Sequence, residues 1–260
     1  MKPSMTFRKR GFTLLETVIA IGVLSVLLTG FIVVFMPAAQ GIKKSINVQQ
    51  ADRLASTLEQ ELVTLRTTAD TDSFGTGFCK ALDWIKKSNS VSSALLAYQY
   101  RGDPSTLRDD NTATPVASLQ SKLPGKDYVV VSMLRRMNVS SVTFSNVDDS
   151  KLLSDDLKAV EGPVYVVKCT QLKFSGGNLN LGTAGSIVDP KTGAAVTSPL
   201  GYPNPEIAFA VGYPESTVAY AADFFQLPSS SASFVAGSTF TSTFNGLKNP
   251  VFTRNFAVGR

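Results

Sequence analysis

The chain has 260 residues, 17% of them charged and 43% hydrophobic, which excludes a disordered chain and allows one good core or two small ones. Its formal charge of +5 would suit a polyanion, but Lys2, Arg8, Lys9 and Arg10 all precede the first apolar run, and beyond them 21 basic residues stand against 20 acidic ones. There is no histidine, which removes Ser–His–Asp and Cys–His nucleophile systems and His-rich zinc sites. No nucleic-acid partner is indicated, and with neither a P-loop nor a GxGxxG turn an enzyme is not expected.

Residues 1–11 read MKPSMTFRKRG, polar and basic. From Phe12 the chain reads FTLLETVIAIGVLSVLLTGFIVVFM, and Glu16 is the single charge between Arg10 and Lys43. The uncharged stretch from Thr17 to Ile42 is long enough to cross a bilayer as a helix. The basic flank before it predicts a cytoplasmic N-terminus and export of the rest. A secretory signal peptide would have a shorter apolar run ending at small residues, and Pro37-Ala38-Ala39 makes a poor cleavage site. A plain single-span anchor leaves Glu16 unexplained, because a carboxylate within a span is costly and needs a partner.

Arg8-Lys9-Arg10-Gly11, followed by Phe12-Thr13-Leu14-Leu15-Glu16 and the apolar run, resembles the type III leader of type IV pilins and type II secretion pseudopilins. The resemblance implies cleavage after Gly11 by a prepilin peptidase and N-methylation of Phe12. It also implies that Glu16, at the fifth mature position, neutralises the N-terminal amine of a neighbouring subunit as a filament grows. The chemistry is coherent: cleavage creates an α-amine at Phe12 that is largely protonated at neutral pH. Glu16 lies one turn further on, at the positive end of the helix dipole. A buried charge without a partner is expensive, so pairing across subunits selects the register.

The fold so implied is α+β: a long N-terminal helix, membrane half plus amphipathic half, packed on an antiparallel sheet. The implied function is that of a structural subunit, a minor pseudopilin of a type II secretion system. The alternatives are a minor type IV pilin for adhesion, motility or DNA uptake, and a single-span anchored periplasmic binding protein that does not polymerise. The implied partners are the prepilin peptidase, other pilin or pseudopilin subunits and an inner-membrane assembly platform. The implied location is the bacterial inner membrane, single-pass, with the C-terminal domain periplasmic or, after assembly, extracellular.

In chain order, the expected parts are a leader over 1–11, a transmembrane and assembly helix over 12–37, an amphipathic spine helix over 38–66 and an exported domain over 67–260. Ile42, Ile46, Ala51, Leu54, Ala55, Leu58, Leu62 and Leu65 recur at helical spacing and predict the spine's buried stripe. Pro37 is expected to kink or locally melt the helix. Residues 67–77 and 102–126 read as loops, and 81–100 is ambiguous. Strands are expected over 128–134, 139–147, 163–174 and 206–213, with a Gly176-Gly177-Asn178 turn leading to Leu179 and Leu181. The Phe-rich tail from Phe234 to Phe256 is expected to give two more.

Within the exported domain, Cys79 and Cys169 are too far apart for a metal or redox motif. They are read either as one disulfide in an oxidising compartment or as two separate buried thiols. The pairs Asp109-Asp110, Asp148-Asp149 and Asp155-Asp156 lack calcium-loop spacing and read as solvated acids and caps, so no cofactor is expected, calcium being the one conceivable ion. Arg135-Arg136 reads as an edge charge. Phe224, Phe225, Phe234, Phe240, Phe244, Phe252 and Phe256 read as sheet core.

Overall fold

The structure is a computed structural model that describes residues 13–116, 128–137, 149–202 and 204–260. Gly11, Phe12 and the strand expected over 139–147 lie outside these residues. The chain divides into two compact units, Met1–Ile46 and Asn47–Arg260. Helix α1 (Leu14–Val63) has residues in both.

The first unit contains the apolar part of α1, with side chains exposed all round: Leu14 is 83%, Leu24 65% and Val34 73% exposed. It is the one helix among the described residues that is long and apolar enough to cross a membrane. Its hydroxyls at Thr17, Ser25 and Thr29 are turned back onto their own helix. Thr17 Oγ1 donates to Leu14 O, Ser25 Oγ to Ile21 O and Thr29 Oγ1 to Ser25 O, each at 2.8 Å. Local melting at Pro37 is not found, because helical backbone runs through it. A proline removes one backbone hydrogen bond, and the helix-forming neighbours Met36, Ala38, Ala39 and Gln40 keep the remainder of the ladder.

In the second unit, α1 lays the stripe Ala51, Leu54, Ala55, Leu58 and Leu62 on a sheet, each at most 1% exposed. Burying the three leucines contributes about 1.5–3 kcal/mol each, and the two alanines allow close approach. The sheet is antiparallel throughout. Strand β1 (Leu95–Leu107) pairs with β3 (Val129–Arg136) on one side. On its other side it pairs with β2 (Ala113–Pro115) and with β4 (Tyr165–Ser175). β4 pairs onward with β6 (Thr217–Gln226), which pairs with β7 (Phe252–Gly259). A projecting hairpin joins β4 to β5 (Asn178–Leu181) through the expected glycine turn, with Gly176 and Gly177 at φ 60° and 78°. The expected helix-on-antiparallel-sheet architecture is thus what the chain forms.

Both faces of the sheet are covered. On one face α1 and α3 (Gly77–Lys87) bury Phe78, Leu82, Trp84 and Ile85 against Tyr165, Val167, Tyr220 and Phe224. On the other face α4 (Asp149–Lys158), α6 (Ala232–Val235) and α7 (Ser238–Gly246) cover Leu96, Tyr98, Met133, Val166 and Phe225. This second layer was not anticipated. Phe240 and Phe244 do belong to the core, but they reach it from a helix, at the i, i+4 spacing that one helical face needs.

Three further expectations are corrected. The loop expected over 67–77 contains α2 (Thr68–Phe74), started by Thr67, whose hydroxyl accepts from Asp70 N at 3.1 Å. The strand expected over 206–213 is helix α5 (Pro205–Gly212), started by an Asn204 cap and a proline in its first turn. The loop expected over 102–126 is in part strand, since β1 runs to Leu107 and β2 follows.

Helices α1, α5 and α7 have no basic residue in their last turn, and each takes a cation from elsewhere. Lys80 Nζ donates to Thr64 O at 2.6 Å, Arg260 Nη2 to Ala210 O at 2.8 Å and Lys168 Nζ to Phe244 O at 3.0 Å. Each cation meets the negative end of a helix dipole and satisfies a carbonyl that lies at or just beyond a helix end.

Candidate functional site

The start of α1 carries the only acid of the apolar segment. Thr13 Oγ1 accepts from Glu16 N at 3.2 Å, and Glu16 Oε2 accepts from both Thr13 N and Thr13 Oγ1 at 3.2 Å. This is a reciprocal capping box: Thr13 is the cap residue, Glu16 the third helical one, and two free backbone N–H groups are satisfied at once. The sequence reading sought Glu16's partner outside the chain and passed over Thr13. The signal was present as Thr13-Leu14-Leu15-Glu16, the T-x-x-E pattern that opens helices. The box holds the carboxylate over the first turn, against Thr13 N and Oγ1, while exposed apolar side chains surround the helix below.

The second unit has a different polar centre, which the sequence reading missed. Of the pair Asp109-Asp110, Asp109 is exposed and Asp110 is 2% exposed; Asp156 is fully buried. Neither buried acid is a solvated loop residue, and Arg135 is not an edge charge. Arg135 Nη2 donates to Asp110 Oδ2 and Arg135 Nε to Asp156 Oδ2, both at 2.7 Å. Tyr98 Oη donates to the same Asp156 oxygen at 2.6 Å. The other oxygen, Oδ1, lies 2.8 Å from Arg108 Nη2, a charge contact without hydrogen-bond alignment. Thr112 N and Oγ1 donate to Asp110 Oδ1.

Burial pushes the Asp110 carboxyl up, but Arg135 and the Thr112 hydrogen bonds outweigh it and hold the acid below its ordinary value. A depressed carboxylate stabilises the fold fully above the ordinary aspartate range, about pH 3.9. That contribution disappears only as pH falls through the lower folded value. Burial and the Asp156 charge raise Tyr98 well above the usual phenol range, so it stays a donor. The two acids are each committed to an arginine, which is the arrangement of a structural centre. Among the described residues no cluster of three or more acids and cysteines is placed to hold a metal.

Cys79 and Cys169 share the core layer of α1 and α3, and of the two readings the structure has the two free, buried thiols. Burial pushes the Cys79 thiol up to about 11 and the Cys169 thiol up to about 12. The thiolate is the reactive form, so neither sulfur is activated at neutral pH. We expect an aromatic disulfide reagent at pH 8 to leave both cysteines of the folded chain largely unmodified and to titrate two thiols once the chain is unfolded without reductant. Fewer than two after unfolding would mean that they are bonded.

Residues 6–32 match the family described as the prokaryotic N-terminal methylation motif, the signature of type IV pilins and pseudopilins. The chain therefore carries a pilin-type N-terminus, and the motif implies a prepilin peptidase and assembly with other pilin subunits. Comparisons with curated proteins and with solved structures gave no match.

Proposed function

We propose that the chain is a structural subunit of a short filament, a minor pseudopilin of a type II secretion system. It is inserted with its N-terminus in the cytoplasm, cut after Gly11, N-methylated at Phe12 and assembled through α1 on an inner-membrane platform. The observation that carries this reading is the methylation motif on a helix whose exposed segment before Lys43 has one charge, the carboxylate of Glu16, held by Thr13. Cleavage would place a protonated amine at Phe12, next to the cap residue Thr13. A subunit entering the filament would bring its amine to the Glu16 of a neighbour. In an apolar environment that pairing discriminates strongly against a shifted register, because a slipped subunit leaves two charges unpaired. The exported unit would follow as a rigid body, and its two-sided core suits a load-bearing part.

The length supports a minor component, since major subunits of the resembling proteins are usually shorter. Glu16 itself speaks against a tip subunit, which in those proteins commonly lacks that acid. Mass spectrometry of the mature N-terminus is the test. The expected result is an N-methyl-phenylalanine at Phe12; an intact Met1, or a chain beginning near Ala39, would overturn the reading.

A further inference from the structure

Arg135 and Arg136 are consecutive on β3, so their side chains leave opposite faces of the sheet. Arg136 Nη1 donates to Asp83 Oδ2 of α3 at 2.8 Å, and its guanidinium stands 5.7 Å from the Trp84 ring centre. Arg135 turns the other way, to Asp156 of α4 and to Asp110 in the 108–112 turn between β1 and β2. We propose that this arginine pair is a two-sided staple, and that its Arg135 arm is a strap by which α4 and the 108–112 turn open and close on the second face as one unit, independently of the spine.

The asymmetry of the two faces supports this. Helix α3 is anchored apart from Arg136, because Phe78, Leu82, Trp84 and Ile85 are each at most 4% exposed in the spine-side core. Helix α4 reads DSKLLSDDLK and puts only Leu153 and Leu157 into the opposite core. The 108–112 turn puts no apolar side chain into either core. Beyond those two leucines, the side chains that tie α4 and the turn to β1 and β3 are polar and converge on one place: Asp156 with Arg135, Arg108 and Tyr98, and Asp110 with Arg135 and Thr112. Segments with few buried apolar contacts are those that open first in a native protein. A single cation bonded to both makes them open together. The surface uncovered would be that of Tyr98, Tyr100 and Met133, which are buried in the closed state.

Hydrogen exchange of the full chain in detergent micelles, followed by mass spectrometry, tests the strap. We expect Arg135→Met and Asp156→Asn to speed exchange about tenfold or more in peptides covering 108–116 and 149–160, with 51–63, 77–87 and 217–226 changed less than about twofold. Arg136→Met should leave 149–160 at the wild-type rate. The proposal is overturned if acceleration spreads evenly to the spine and β6, if 149–160 is unaffected by loss of Arg135, or if Arg136→Met releases α4 equally. Should Arg135→Met fail to fold, Asp156→Asn decides alone, since it keeps the side chain's shape and removes the charge and one acceptor oxygen.

Discussion

Glu16→Ala should lower filament yield at least about tenfold, a change equivalent to about 1.4 kcal/mol or more per subunit addition, while processing to N-methyl-Phe12 continues. The substitution removes two things: a charge that, in the function proposed above, would meet the neighbour's amine, and the acceptor of the capping box with Thr13. These separate cleanly. Glu16→Gln keeps an oxygen able to accept from Thr13 N but carries no charge, so it should preserve the helix start and still fail to assemble. Thr13→Val keeps the charge and loses the cap, which costs about 1 kcal/mol of local helix stability, and should assemble at moderately reduced yield. Filament yield is read by shearing and immunoblotting, and processing by the mass of the N-terminal peptide. Wild-type assembly by Glu16→Gln would remove the charge from the mechanism and leave Glu16 as a cap only.

This pair of residues also marks how far the sequence could be read. The long helix was legible because its signals are local: an apolar run, then a stripe at three- and four-residue spacing, observed as Leu14–Val63. β3, β4 and the glycine hairpin were legible for the same reason. Short elements failed where a cap outweighed composition. Asn204 and Pro205 start a helix in a stretch whose apolar residues, taken alone, suit a strand equally well. β6 was passed over although Val218, Tyr220, Ala222 and Phe224 alternate onto one face of the sheet. The ion network had no local signal. Arg135 lies 25 residues from Asp110 and 21 from Asp156, and only the pairing of β3 beside β1 brings the three together. A buried acid and an exposed one, such as Asp110 and Asp109, look alike until the strand beside them is known.

Gly77→Ala should be among the most damaging single substitutions in the second unit, although Gly77 lies in a stretch that reads as loop. Gly77 opens α3 directly beneath the end of α1, and a Cβ there would stand 2.2 Å from Val63 O and 2.9 Å from Val63 C. Both obstacles are backbone, so no rotamer change relieves them, and either α1 or α3 must move. Overpacking of this kind costs about 1–3 kcal/mol. The upper end applies because α3 also carries Lys80, whose ammonium holds Thr64 O at 2.6 Å beyond the end of α1, and Trp84, which is 3% exposed in the core. A loss of about 3 kcal/mol lowers the melting temperature by about 6–12 °C in a unit of this size, measurable by circular dichroism of the full chain in micelles. Gly246→Ala is the matched control, since its added Cβ meets nothing within 4 Å. In a helix it should be neutral or stabilising, by no more than about 1 kcal/mol. Equal melting temperatures for the two variants would mean that the spine end and α3 do not approach as closely as the Gly77 contact requires, and the Lys80 cap of α1 would fall with it.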